Sequence, residues 1–294
     1  MPSDSNSQKA AKFSVMPKAF ELKPREYEAI RVLVKEKTGI NLGLRKRDLV
    51  VSRLSKRLRA LGLSGFKQYI DYLDGPEGPD ELVQMINRIT TNKTDFFREK
   101  HHFDFLTGHL FPRIYQAGQT SGIRRVRAWS AGCSSGEEPY SICIAAAEYF
   151  QDKPGWDFKL LATDLDTTML QKASARLYEE ALLEPVPRHL QLKYFARIRR
   201  DGQVFYEAKK HLRDMITFRK FNLMHPSYPL KTTLDFIFCR NVLIYFDAQD
   251  KTDIMTKFHA VLKPGGHMFV GHSESLMMVK HLFRSVGTTV YERI

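Results

Sequence analysis

The run LDFIFCRNVLIYF, Leu234 to Phe246, constrains the fold of this chain more than any other stretch. An apolar segment so rich in Phe and Ile reads as a strand buried on both faces, the habit of central strands in parallel sheets. It delivers a polar cluster, Arg240, Asn241 and Tyr245, at or just beyond its C-terminal end. A helix is predicted from Gln249 to Leu262, stopped by Pro264 and the two glycines of LKPGG, and then a second apolar strand, HMFVGH. Strand, polar tip, helix, turn and strand make a βαβ unit. Open α/β sheets bind ligands at the carboxyl ends of such strands.

The same alternation starts at Ile123. RRVRAWSA reads as a strand, AGCSSGEEP as a turn, YSICIAAAEYF as the helix it opens, and FKLLATDLD as a second strand ending in acids. From Ala175 to Thr217 the rhythm breaks into a helix and short strands around QVFYEA and MITFRKF, with a turn at Arg200 to Gly202. This predicts an inserted β subdomain. Lys23 to Asn87 is helical throughout, punctuated by Gly39, Gly62 and Gly75. The expected organisation is a disordered tail over 1–16, a helical domain over 17–90, and a larger α/β domain over 91–294. The larger domain contains the linker 91–103 and the insertion at about 175–217.

No apolar run approaches the ~20 residues of a membrane span. The N-terminus also lacks the roughly 7 to 15 apolar residues of a signal-peptide core. A cytoplasmic protein without membrane insertion is expected. Cys133, Cys143 and Cys239 are far apart and form no Cys-x-x-Cys, so reduced thiols and no zinc site are expected. His101 and His102 are adjacent, and on a helix they would point about 100° apart, which does not suggest a two-histidine metal site. Net charge is +13, and residues 1–75 hold 16 Lys and Arg against 8 Asp and Glu. Such a field favours an acidic partner. Lys46, Arg53 and Arg57 fall within about 40° of one another on a helical wheel. They form either a solvated face or a docking surface.

In AGCSSGEE, Gly132 and Gly136 permit a sharp bend and close approach of a ligand to the backbone, although the turn is not G-x-G-x-x-G. Asp164, closing the next strand, stands where a doubly wound domain places a carboxylate for ribose hydroxyls. Glu137 and Glu138 would repel a phosphate in that turn. A nucleoside cofactor with a cationic amine and no phosphate fits better, and S-adenosylmethionine has that shape. The linker RITTNKTDFFREKHHF offers Asn92 and Thr94 as short hydrogen-bonding groups and Phe96 and Phe97 as anchors. Arg98 can bind a carboxylate with both prongs of its guanidinium.

NKTDFFRE, WSAGCSSGEEPYSI, ATDLD, FCRNVLIYF, LKPGG and GHSE, in this order from Asn92 to Glu274, resemble the signature of the CheR-type chemoreceptor glutamate methyltransferases of bacteria. With the basic helical domain ahead of them, the likeness spans nearly the whole chain. It implies a class I S-adenosylmethionine-dependent methyltransferase, Rossmann-like, with a seven-stranded mostly parallel sheet, an N-terminal all-helical domain and a small inserted antiparallel β subdomain. By the same resemblance Asn92, Thr94, Arg98, Glu137, Asp164, Asn222, Leu223, Arg240 and Asn241 are cofactor contacts. Arg98 and Tyr245 are the residues nearest the transferred methyl. The implied substrate is a set of glutamates on the receptor's cytoplasmic coiled coil, and Lys46, Arg53 and Arg57 become candidates for docking it. A monomer that binds no nucleic acid is expected.

A glutamate carboxylate is already nucleophilic at neutral pH, with a pKa of about 4.3, so methyl transfer to it needs no general base. Two other readings stand beside this one. A nucleic-acid methyltransferase would suit the basic charge, but the tip after the fourth strand reads RNVLIYF where an Asn/Asp-Pro-Pro-aromatic motif is usual. A non-catalytic S-adenosylmethionine-binding signalling module would need neither Arg98 nor Tyr245.

Overall fold

The computed structural model describes residues 20–294. The tail expected over 1–16 lies outside the described residues. Four helices form the N-terminal unit: α1 (Pro24–Thr38), α2 (Arg47–Ala60), α3 (Phe66–Leu73) and α4 (Gly78–Ile89). Pro24 occupies the first turn of α1, where its missing N–H is harmless, and Gly39 ends the helix with φ +77°. Val50, Leu54 and Leu58 of α2 pack with Ile30, Val34, Tyr69 and Met85 into a core of their own.

The linker leads into α5 (His101–Phe105), which continues through a wide turn at Leu106–Leu110 into α6 (Phe111–Ser121). The α/β domain then runs β1 (Arg125–Ala131), α7 (Glu137–Phe150), β2 (Asp157–Asp164), α8 (Thr167–Ala175), β3 (Leu177–Tyr178), α9 (Arg188–Tyr194), β4 (Phe195–Arg200) and β5 (Gln203–Ala208). It continues with α10 (Lys210–Arg213), β6 (Ile216–Lys220), β7 (Leu234–Cys239), α11 (Ala248–Val261), β8 (Leu262–Val270), β9 (Phe283–Gly287) and β10 (Val290–Arg293). Seven strands build one sheet in the order β6-β2-β1-β7-β8-β10-β9, parallel except for β10, which runs antiparallel to both neighbours.

Strand β7 is the middle strand, and all six of its residues are buried. Its side chains alternate: Phe236 and Phe238 enter the core on one face, Ile237 and Cys239 the core on the other. From β1 the chain winds outward one way to β2 and β6, and from β7 the other way to β8. The switch point therefore lies between the tips of β1 and β7, where a ligand crevice opens.

Two expectations are corrected. MITFRKF does not belong to the insertion: Ile216–Lys220 pairs in parallel with β2 as the edge of the large sheet, and only β3, β5 and β4 form the small antiparallel sheet. LKPGG is not a separate turn, because α11 gives way at once to β8, and the register slip beside β7 falls where Pro264 and the glycines sit. Cys133, Cys143 and Cys239 are free and buried. Among the described residues no helix is long and apolar enough to cross a membrane.

Candidate active site

A cleft lies between the helical domain and the carboxyl edge of the sheet. The tips of β1, β2 and β7 supply Gly132, Ser134, Asp164, Arg240 and Asn241; the linker supplies Asn92, Thr94 and Arg98. Asn222, Leu223 and Tyr245 complete the α/β side, and Thr38, Leu42 and Lys46 close it from the helical side. Gly132 has φ +86°, and a Cβ there would strike the Val242 side chain, so the tip of β1 packs directly against the tip of β7.

Asp164 is pinned as an acceptor. Its Oδ2 accepts the Ser134 N–H at 2.8 Å and its Oδ1 the Asp166 N–H at 2.8 Å. Burial raises its pKa, and those backbone donors oppose the rise. Each oxygen keeps a lone pair for a further donor such as a ribose hydroxyl. The Asn92 amide reaches Asp166 Oδ2 at 2.7 Å, and its carbonyl accepts from Ser134 Oγ at 2.9 Å, so the linker is stitched to the turn after β1. Asn222 joins the domains: its Nδ2 donates to the Lys37 carbonyl and its Oδ1 accepts the Met224 N–H.

The Glu137 carboxylate is buried and accepts from Ser135 Oγ at 2.8 Å, on the side of Tyr178 and the small sheet; the next residue, Glu138, lines the cleft. Helix α7 starts at Glu137, so the two side chains leave it about 100° apart. Glu138 accepts from Ser130 Oγ at 2.7 Å and stands 3.4 Å from Arg240 Nη1. Burial raises its pKa, and the Arg240 guanidinium pulls it back.

Arg98 lines the cleft between two left-handed residues, Phe97 at φ +52° and Glu99 at φ +58°. Such conformations cost about 1 to 3 kcal/mol each and persist where surrounding structure enforces them. The enforcement is visible. Phe96 is buried edge-on against Tyr178 and Phe195, and the Phe97 N–H donates to Ser141 Oγ at 2.9 Å. Asn241, also left-handed at φ +58°, is held by Glu274, whose Oε2 accepts the N–H groups of both Asn241 and Gly271. Glu274 was legible only as part of GHSE, not as a site residue. Tyr245 is fixed through its carbonyl, which accepts the Asn41 N–H at 2.7 Å, and Lys46 Nζ lies 5.0 Å from its ring centre.

The three cations of the predicted basic stripe all have partners within the protein. Arg57 grips the buried Glu81 carboxylate, with Nε at 2.8 and 2.9 Å, and Arg53 Nη1 caps α4 at the Ile89 and Thr90 carbonyls, each at 2.6 Å. Lys46 lies beside Tyr245, so of the three only Arg57 is paired with a carboxylate. His101 and His102 do not diverge either. Their ring centres are 4.1 Å apart, because both reach Thr289 in the turn between β9 and β10. Glu99, His101 and His102 gather possible metal-ligand atoms within 4.8 Å of one another, but the Arg240 guanidinium beside Glu99 opposes a cation there.

Fold and cleft together define a class I S-adenosylmethionine-dependent methyltransferase. A family model described as the CheR methyltransferase SAM binding domain matches residues 92–292, and one for the CheR methyltransferase all-alpha domain matches 25–90. The chain belongs to the CheR methyltransferase family. It is 40% identical to a probable chemotaxis protein methyltransferase of Rhizobium etli, covering 86% of this chain and 94% of that one. It is 38% identical to the chemotaxis protein methyltransferase of Escherichia coli strain K12, covering 94% and 93%. It is 39% identical to chemotaxis protein methyltransferase 2 of Pseudomonas aeruginosa, covering 92% and 94%.

Proposed function

We propose that this enzyme methylates glutamate side chains on the cytoplasmic coiled coil of chemoreceptors, forming glutamyl methyl esters, with Arg98 and Tyr245 beside the reacting groups. The observation that carries this reading is the pairing of a nucleoside cradle, centred on Asp164, with a mouth where Arg98 and Tyr245 line the cleft and, among the described residues, no histidine does. An acceptor that needs deprotonation would call for a base there; a carboxylate does not. When bound, S-adenosylmethionine supplies a methyl group activated by its sulfonium. That methyl would pass to a carboxylate oxygen of the substrate, with S-adenosylhomocysteine as the product left behind. The protein's part is alignment, an effect that supplies up to roughly 7 to 11 kcal/mol. Arg98 orients the incoming carboxylate and Tyr245 the reacting groups. Asn92, Thr94, Asp164, Asn222, Leu223, Arg240 and Asn241 hold the cofactor, with Glu138 in the place first given to Glu137.

The test is incubation with methyl-labelled S-adenosylmethionine and a receptor cytoplasmic fragment, followed by mild alkali. Label released from the receptor as methanol identifies a carboxyl ester. Alkali-stable label, or no label with cofactor binding intact, rejects the proposal.

A further inference from the structure

The carboxyl ends of β7 and β8 lie side by side, Cys239 opposite Val270, and the chain leaves each through a tight loop. After β8 a turn closed by the Glu274 N–H on the Gly271 carbonyl, at 2.9 Å, folds residue 274 back over the strand end. Glu274 is buried there, and backbone N–H groups from both loops meet its carboxylate. Oε2 accepts from Gly271 at 2.6 Å and from Asn241 at 2.8 Å, and Oε1 accepts from Ile244 at 3.3 Å. Burial raises its pKa, and these donors, with the Leu243 N–H, oppose the rise. A Cβ at position 271 would come within 2.6 Å of Asn241 Nδ2 and 2.9 Å of Glu274 Oε2, so glycine is what lets the two loops close on one carboxylate.

The two oxygens reach different parts of the β7 loop. Asn241 is left-handed at φ +58° and lines the cleft, and its N–H bond to Oε2 helps enforce that conformation. Ile244 lies in the single 3₁₀ turn Leu243–Tyr245, whose last residue also lines the cleft. Glu274 itself is set back from the cleft wall, behind both.

We infer that Glu274 is a positioning residue that couples the two halves of the site: through Oε2 it sets Asn241 for the cofactor, and through Oε1 it sets the turn that aims Tyr245 at the reacting groups. This rests on the proposed assignment of Asn241 to the cofactor and of Tyr245 to the methyl acceptor side.

Glu274→Gln separates the two oxygens. An amide has one acceptor oxygen, which serves the two shorter contacts, and its NH2 then meets the Ile244 N–H, donor against donor. Calorimetric titration with S-adenosylhomocysteine should find affinity within about threefold of wild type, while kcat on a receptor cytoplasmic fragment falls about tenfold or more. Amide spectra of the complex should show the Ile244 proton moving upfield while those of Asn241 and Gly271 stay. Glu274→Ala leaves all three N–H groups unmet and should lose about tenfold or more in affinity as well. A Gln variant with wild-type kcat, or one that loses affinity and kcat alike, overturns the inference, as does an Ala variant with wild-type affinity. The spectra and the calorimetry need no acceptor. If the wild type leaves the receptor fragment unmethylated, the functional reading fails, and the Ile244 shift with the Ala affinity still decides the role of Glu274. If Asn241→Ala and Tyr245→Phe both behave like wild type, the site assignments fail and the inference with them.

Discussion

Glu137 and Glu138 stand side by side in the sequence and leave the start of α7 about 100° apart, Glu137 accepting from Ser135 and Glu138 lining the cleft. Glu138→Gln is expected to weaken S-adenosylmethionine binding about tenfold, and Glu137→Gln to leave it within about twofold, as read by calorimetry. Equal losses would erase the distinction. Spacing alone placed an acid in this turn but not which acid, because the choice depends on how Gly136, at φ +101°, launches the helix. Asp164 was legible because a strand end has one outcome: the last side chain stands at the sheet edge. Arg57 illustrates the reverse case. Its charge looked like surface charge, yet Glu81 beneath it is 2% exposed and also receives the Tyr69 hydroxyl at 2.7 Å. Arg57→Ala strands that carboxylate and should lower stability in urea by about 3 kcal/mol, whereas replacing Arg57 and Glu81 together by apolar residues should recover most of it. A double variant no better than the single would contradict this account.

Among the elements, β7 and its tip were readable because a strand buried on both faces leaves an unbroken apolar run. β6 was not. It is an edge strand whose Thr217, Arg219 and Lys220 are exposed, and nothing in so short and basic a run distinguishes an edge of the large sheet from the neighbouring small one. Nor does the period of α2 tell which of its cations are engaged inside the domain. With Arg53 and Arg57 occupied, the exposed cations on this helix and the turn before it are Arg45, Lys56 and Arg59, which lie within about 60° of one another. If this face steers a Glu-rich receptor segment, reversing all three charges should raise KM several-fold with little change in kcat, and the wild-type rate should fall steeply with added salt. A salt-insensitive rate, or an unchanged KM, removes the steering role.

At the scale of the molecule the helical domain is one wall of the cleft, held by an ionic clasp. Lys35 of α1 pairs with Asp250 and, at 2.6 Å, with Asp247, which also caps α11. The Asp250 N–H and Lys35 hold the Asp247 carboxyl below its usual pKa, and Lys35 sits above its own ordinary value. The Asp247 contribution is thus fully present above the ordinary carboxylate range and is lost as pH falls through the lowered value; that of Lys35 is present at neutral pH and is lost only in strong alkali. Asp247→Asn keeps a good helix cap and removes the charge. The thermal midpoint of the wild type should therefore fall more steeply than that of the variant between about pH 5 and pH 3, and identical slopes would assign no pH-dependent stability to the clasp. Near it, at Gly39, a Cβ would run into Met224 and Phe246 across the domain boundary. The two domains are therefore fitted to each other at this contact: a helical domain transplanted from a relative is expected to seat only if it carries glycine at position 39.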